Sequence, residues 1–490
     1  QHVGHAPLGD REAGEFGGAL DVGGGAGGDV LEDDLLGGAA AEEDGDLVDD
    51  PGAALVVAVL LGQAHGGAQG HAPGETVIRL VRAWLLDPPL VLTVLGLSLF
   101  GVAMIYSAGV LNEPSPVTQD IWTRQAMWLG LAMVVFTVLT RIPLRWIEWA
   151  ALPAYVGGVI LLGATLAIGT GSGTAVGVKS FISLGGFRFQ PAEVAKIATI
   201  LALARLLSTG KTGREGPEAL RELLAPVALV GLPLGLVVLQ PDLGTAMAFV
   251  GILFAALYWG GTPLYLLLLL ASPGFGLILS FDTRIWSVYI VALALSLYFF
   301  RYRLYLVESV GVVLANLAAG TIALPLWRSL AEYQRNRLLV FLDPSVDPRG
   351  AGWHLIQSKV AIGSGGLTGK GFTLGTQKRL DFLPEQHTDF IFSVIGEELG
   401  FLGTSLVVLG FSFILARLVR LASESPDPFA GLVIFGIFGA WITHIFVNIG
   451  MTVGLVPITG IPLPFVSYGG SFLLMSWVAL AMAVRVAQED

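Results

Sequence analysis

The chain has 490 residues, of which 54% are hydrophobic and only 13% charged, with a mean hydropathy of +0.73; these values exclude a water-soluble globular domain and predict a polytopic membrane protein. The absence of cysteine excludes disulfides, thioether-linked haem and thiolate metal sites. The net charge of −11 misrepresents the apolar part, because 15 of the 38 acidic residues and only one basic residue, Arg11, lie in residues 1 to 76, which leaves the remainder near +3.

Residues 1 to 76 are rich in Gly, Ala and Asp, begin with Gln and contain one apolar run, residues 53 to 61, that is too short to span a bilayer. They are expected to form a disordered acidic leader. No basic stretch precedes the apolar run, so it does not read as a signal peptide. The segment reads as an artefact of the assigned start, with Val77 the expected true start, and a functional acidic tail as the alternative.

A bilayer crossing takes about 20 mostly apolar residues. Twelve such stretches follow, near residues 89–110, 123–140, 148–169, 191–209, 222–240, 243–260, 263–281, 285–300, 304–327, 400–418, 429–449 and 466–485. When they are threaded alternately, Arg79/Arg82, Arg141/Arg145, Lys211/Arg214, Arg301/Arg303, Arg417/Arg420 and Arg485 fall on one side, which predicts that this side and both termini are cytoplasmic. The expected fold class is therefore an all-α polytopic membrane protein of 10–12 transmembrane helices in residues 77–490, with a large extracytoplasmic loop at residues 328–388. That loop is too long for an ordinary connection. It has Trp353, Leu355, Ile356, Val360, Ile362, Phe372, Leu374 and Phe382 to bury and is expected to fold against the membrane surface.

The polar groups near the membrane come next in chain order. Gln190-Pro191-Ala192-Glu193 opens the fourth span with proline in its first turn, and Glu193 and Lys196 stand three apart on one helix face. Such a pair points into the bundle, either as a self-neutralising packing device or with Lys196 facing an anionic substrate or a catalytic carboxylate. Asp242, in Gln240-Pro241-Asp242-Leu243-Gly244-Thr245, is placed to cap the sixth span. The glycine-rich run Gly363-Ser364-Gly365-Gly366-Leu367-Thr368-Gly369-Lys370-Gly371 is not a Walker loop, and its amides serve either phosphate or tight turns. Glu385, His387 and Asp389 cluster in Pro384-Glu385-Gln386-His387-Thr388-Asp389-Phe390. With only His354 and His444 as further histidines after residue 76, no structural metal cage is expected. A loosely held divalent cation, Mg or Mn, between Asp389 and a substrate diphosphate is compatible with these residues. Alternatively, Thr388 or Asp389 caps a helix over residues 390 to 399.

Six motifs in this order resemble the SEDS family of cell-wall polymerases, the RodA and FtsW type: Gln190-Pro191-Ala192-Glu193 with Lys196, Gln240 to Thr245, Phe341-Leu342-Asp343-Pro344, Gln357-Ser358-Lys359 running into Ile362-Gly363-Ser364-Gly365-Gly366, Phe382 to Phe392 with Glu397-Glu398-Leu399-Gly400, and Pro462-Leu463-Pro464-Phe465-Val466-Ser467-Tyr468-Gly469-Gly470. The resemblance covers about residues 80 to 488, and the Gln357 motif with Gly375-Thr376-Gln377 is closer to the elongation type than to the division type.

The resemblance implies a peptidoglycan glycosyltransferase that joins lipid II into glycan strands on the outer face of the bacterial cytoplasmic membrane, with undecaprenyl diphosphate as leaving group. It implies Asp389 as the catalytic carboxylate and Lys196 as its ion-pair partner. Arg124, which stands at the outer end of the second span against the charge trend, joins Lys196, Lys359 and Lys370 as candidates to clamp the diphosphate. Glu193, His387, Gln357 and Asp242 complete the expected substrate-binding set. The implied partners are lipid II, the lipid-linked glycan, a class B penicillin-binding protein and membrane proteins of the elongation complex; no nucleic acid is expected. Two departures stand out: Phe181 occupies a position where the family commonly has Trp, and the chain has room for two spans beyond the family's usual ten. The competing readings are a flippase for lipid-linked precursors, a scaffold for elongation proteins and a division-type polymerase.

Overall fold

The computed structural model describes residues 86–112, 120–171, 179–184, 187–209, 216–299, 306–348, 350–380, 382–383 and 385–488. The acidic leader, Val77 and the basic residues Arg79, Arg82, Lys211, Arg214, Arg301 and Arg303 lie outside the described residues.

The described chain is helical except for one small hairpin. The helices are α1 (Pro88–Ala108), α2 (Ile121–Leu139), α3 (Leu144–Ile168), α4 (Pro191–Thr209), α5 (Leu224–Leu239), α6 (Leu243–Trp259), α7 (Leu264–Leu279), α8 (Thr283–Phe299), α9 (Leu306–Ser329), α10 (Glu332–Leu342), α11 (Ala351–Ser364), α12 (Thr376–Arg379), α13 (Ile391–Glu424), α14 (Pro428–Val453) and α15 (Gly470–Val486). Each of the twelve predicted spans falls on one of them: α1 to α9 and α13 to α15. Among the described residues, seven helices are long and apolar enough to cross a membrane and four more are shorter apolar helices. The remaining one, α4, carries Glu193, Lys196 and Arg205 and is the polar member of the bundle. The described residues between 263 and 327 form three helices, α7 to α9.

The bundle is organised around α14, which packs against α4, α6, α11, α13 and α15. Its most apolar window is 72% buried, against 17% for α9, so α14 is a core helix and α9 a peripheral one. The periphery is α7 to α9, where α8 has no buried residue. There Asn316 holds the packing: its amide donates to the Ser272 hydroxyl (2.8 Å), and its carbonyl accepts from the Tyr289 hydroxyl (3.0 Å). A polar network that satisfies itself is what lets such groups sit inside an apolar layer.

The long excursion is folded. It contains α10, α11 and α12, and α11 packs against α13 and α14, with the Ser358 hydroxyl donating to the Thr452 carbonyl (2.7 Å). Leu355 enters the core, whereas Trp353, Ile356, Val360, Phe372, Leu374 and Phe382 stay exposed; apolar burial alone does not order this segment. Two neighbouring glutamates of α13 supply the rest. Glu397 accepts from Lys370 Nζ (2.7 Å), Thr376 N (2.8 Å) and Gln377 N (3.0 Å). Glu398 pairs with Lys378, both fully buried, and accepts from the Ser107 hydroxyl of α1 (2.6 Å). These bonds clamp residues 370–378 between α13 and α1.

Immediately after the clamp, α13 breaks at Gly400 (φ 63°, ψ −158°). A side chain there would strike the backbone of Leu367 and Gly369, so only glycine permits both the left-handed conformation and the close approach. The break separates a buried first segment, residues 391–400, from the following helix, where Phe401, Leu402, Leu406 and Leu409 are exposed.

Candidate active site

Where α10, α11, the start of α13 and the loop between α14 and α15 converge, they enclose a groove with a cavity volume of about 240 Å³. Its walls carry Gln190, Asp242, Tyr333, Arg337, His354 and Asp389 among other residues. Each of these side chains is placed by a different local device.

Asp389 is placed by its backbone. The carbonyls of three successive residues accept hydrogen bonds from the other wall: His387 from Tyr468 N (2.9 Å), Thr388 from the Ser467 hydroxyl (2.6 Å) and Asp389 from Asn448 Nδ2 (3.0 Å). The same Asn448 amide also donates to the Ile461 carbonyl (2.7 Å), and the Ser467 hydroxyl accepts from Leu463 N (2.8 Å). The sling fixes the main chain and leaves the carboxylate to the groove. The N-cap of α13 is Phe390, with no side-chain bond, so neither Thr388 nor Asp389 acts as the cap that the sequence also allowed.

The Asp389 carboxyl is pushed up to about 7, first by burial and then by the nearby Glu385 and Asp242 carboxylates, against the opposing pull of Arg337 and Thr388. A carboxyl poised near neutrality exchanges a proton with a substrate at modest cost. Asp242 differs. It caps α6 by accepting from Thr245 N (3.0 Å), and its other oxygen accepts from the Thr245 hydroxyl (2.9 Å) and Gln190 Nε2 (3.2 Å). Both oxygens are committed, so its charge acts on the groove at a distance. His354 on α11 is held below the usual histidine range by burial and by Arg337, so it is neutral at pH 7.

Lys196 does not lie in this groove. Its ammonium pairs with Glu193 (2.9 Å) and lies 2.8 Å from His444 Nε2, beside a separate cavity of about 30 Å³. That volume holds about two or three waters, by the rule that each needs about 10–15 Å³. The expectation of a Lys196–Asp389 ion pair is therefore corrected: a buried ammonium takes the nearest carboxylate, and on α4 that is one turn away. Phe472 borders both spaces.

The remaining nominated residues are dispersed. Arg124 is exposed in the first turn of α2. His387 packs its ring near Tyr468 (5.7 Å between centroids) and is not part of the groove lining. Gln357 is buried on α11, and Lys359 is exposed with its ammonium end against Gly454. Lys370 is spent on Glu397, and in its glycine-rich run the amides of Gly369, Lys370 and Gly371 donate to the Gly365, Glu397 and Glu398 carbonyls. The run is a docking turn, not a phosphate cradle. Among the described residues no three His, Asp or Glu side chains form a metal-holding group, so a divalent cation would depend on substrate oxygens for most of its ligands. Arg337, Tyr333 and His354 were not singled out by any motif. The one local signal for Arg337 is its i, i+4 spacing from Tyr333, which stacks the guanidinium over the ring at 5.8 Å.

A helical membrane bundle with one end folded over a charged groove defines the class: a polytopic membrane protein whose polar chemistry lies at the end of the bundle rather than along a path through it. The chain belongs to the FtsW/RodA/SpoVE family, whose model, described as "Cell cycle protein", matches residues 88–298 and 287–490. It is 36% identical over 406 residues to the peptidoglycan glycosyltransferase MrdB of Escherichia coli (strain K12), covering 82% of this chain and 94% of that protein. It is 32% identical over 431 residues to the peptidoglycan glycosyltransferase RodA of Treponema pallidum (strain Nichols), covering 82% and 97%. Among solved structures it resembles a chain from a peptidoglycan synthase complex that coordinates polymerization and crosslinking, with a TM-score of 0.60 and 29% identity over 82% of this chain and 97% of that one. It also resembles the rod shape determining protein RodA of Thermus thermophilus, with a TM-score of 0.53 and 25% identity over 82% and 98%.

Proposed function

We propose that this chain is a peptidoglycan glycosyltransferase of the elongation type, polymerising lipid II into glycan at the groove, with Asp389 as general base. The observation that carries the reading is the Asp389 carboxyl itself: unused as a helix cap, suspended by three backbone bonds and poised near neutral pH. The acceptor sugar's 4-hydroxyl forms a bond to the donor's anomeric carbon while its proton passes to Asp389, and the bond from that carbon to the diphosphate oxygen breaks. An α-linked donor gives a β-linked product, so one inverting displacement suffices and no second carboxylate is required. A divalent cation carried in with the diphosphate would supply charge to offset it, leaving Asp389 to take the proton.

On this reading residues 328–388 and the following turn form the extracytoplasmic face of a protein of the bacterial cytoplasmic membrane. The partner is a class B penicillin-binding protein, in keeping with the similarity to a chain of a peptidoglycan synthase complex. The flippase alternative needs charges along a route through the bundle, whereas Glu193, Lys196 and His444 satisfy one another around a cavity of about 30 Å³. Purified protein, with and without a class B partner, incubated with lipid II tests the proposal. Glycan strands that vanish in Asp389→Ala are expected, and polymerisation retained by that variant refutes the role of Asp389.

A further inference from the structure

The reaction proposed above releases a diphosphate, and none of the cations nominated from sequence lines the groove. Lys196 and Lys370 are neutralised by Glu193 and Glu397, while Arg124 and Lys359 are exposed elsewhere. Among the described residues that line the groove, Arg337 is the only lysine or arginine. With His354 neutral, it is the only cationic side chain in that wall at pH 7.

No carboxylate forms a salt bridge with Arg337 among the described residues. Tyr333, over whose ring the guanidinium sits, has its hydroxyl buried without a hydrogen-bond partner, as do Ser180, which is 1% exposed, and Thr459, all three in the groove wall. Finally, Gly460 (φ 75°) faces the groove, and a β-carbon there would stand 3.2 Å from Asp389 Oδ2 and 3.9 Å from Arg337 Nη1. The missing side chain keeps open a space with a carboxylate on one flank and a guanidinium on the other.

We propose that Arg337, supported by Tyr333, is the anchor for the diphosphate of the lipid-linked donor, a role that rests on the glycosyltransferase reading of the same groove. A guanidinium offers a planar fork that matches two phosphate oxygens, and it holds its charge at any working pH. Its place across the Gly460 space from Asp389 puts the leaving anion and the departing proton on two different groups. The unpartnered hydroxyls of Tyr333, Ser180 and Thr459 supply neutral donors to the same oxygens or to the adjoining sugar.

The test is binding of farnesyl diphosphate to the full-length protein in detergent, with farnesol as the uncharged control, in wild type, Arg337→Ala and Arg337→Lys, each checked for folding by thermal melting. A hydrogen bond to a charged group contributes about 1.5–3 kcal/mol, so Arg337→Ala should weaken farnesyl diphosphate binding about 10- to 100-fold and leave farnesol unchanged. Arg337→Lys keeps the charge, loses the fork and should fall between. If Arg337→Ala does not fold, wild-type affinity in Arg337→Lys overturns the fork and an intermediate affinity supports it. Farnesyl diphosphate binding unchanged in both variants overturns the proposal. So does a rate loss in Arg337→Ala that is restored by raising the pH with binding intact, which would make Arg337 only a counter-ion of Asp389. Wild type that binds farnesyl diphosphate through Arg337 but makes no glycan from lipid II leaves the anchor standing and removes the glycosyltransferase reading instead.

Discussion

Two acidic sets adjoin each other at the start of α13 and are treated in opposite ways. Glu397 and Glu398 are each met by a lysine and by backbone amides of residues 370–378, with the Glu398–Lys378 pair fully shielded from solvent. Asp389 has no such partner: its chain is held by Asn448, Ser467 and Tyr468, and its carboxylate faces two other acids, Asp242 and Glu385, against one guanidinium. Matched charges hold the excursion in place, and the unmatched one is kept ready to change its protonation state. A buried pair is a poor place for chemistry, because either partner's departure strands the other. A buried lone carboxyl is a poor building element, because its ionisation costs desolvation, and that cost is what raises its proton affinity.

The largest effect is expected in the groove: Asp389→Ala should lower lipid II polymerisation by about 10²–10⁴-fold, the usual contribution of a positioned base, with the melting temperature in detergent unchanged or higher. Glycan gels and thermal melts on the same preparation check both halves. The clamp should behave the other way. Lys378→Met leaves Glu398 buried without its counter-ion and should cost about 3–5 kcal/mol of stability, read as a large fall in melting temperature and yield. A Lys378→Met protein that melts like wild type would show that the pair does not hold the excursion.

The sling lies between these extremes. Asn448→Ala frees one of the three suspended carbonyls and should reduce kcat about 10- to 100-fold with little change in KM, since displacing a catalytic group by about 1 Å has that consequence. A purely structural Asn448 would instead lower the melting temperature and leave kcat per folded molecule intact. The pH dependence sharpens the contrast. Asp389 must be ionised to accept a proton, so the rate should rise with pH through about 7 and level off above it. The stability sign is the reverse: the folded carboxyl holds its proton more tightly than the unfolded one, so its contribution favours folding at low pH and is lost as pH rises from the ordinary carboxylate range to about 7. Melting curves of wild type and Asp389→Asn across that range should converge at low pH and separate above it. The smallest effect belongs to Lys370→Ala. Lys370 is 26% exposed and Glu397 keeps its backbone donors, so a loss of about 1 kcal/mol or less is expected, seen as a slight fall in melting temperature.

Legibility from sequence followed the range of the interactions. Twelve apolar runs fell on twelve helices because a membrane-spanning segment must satisfy its own backbone, so its length and apolarity are local properties. The Asp242 cap was legible for the same reason, being a contact across three residues. Asp389 was legible as a carboxylate in a polar turn, but the sequence left open whether it capped α13. That was decided by Asn448, Ser467 and Tyr468, which lie 59, 79 and 81 positions along the chain from the residues whose carbonyls they bind, Asp389, Thr388 and His387. The four cations were misjudged as a set because charge is visible in sequence and counter-ions are not. Glu193 meets Lys196 within one turn, yet Glu397 reaches Lys370 from 27 residues away.

By itself, then, the sequence determined that this is a helical membrane protein, where its helices run and which acidic turn carries the candidate base, since each depends on a few consecutive residues and on the cost of burying polar groups in an apolar layer. Only the tertiary structure decided which charges cancel. Lys378 and Glu398 vanish into a mutual bond, Lys196 turns to Glu193 and His444, and Arg337 is left facing Asp389 across the space above Gly460. Coulomb attraction falls with distance and rises as water is excluded, and both quantities are properties of the packed bundle.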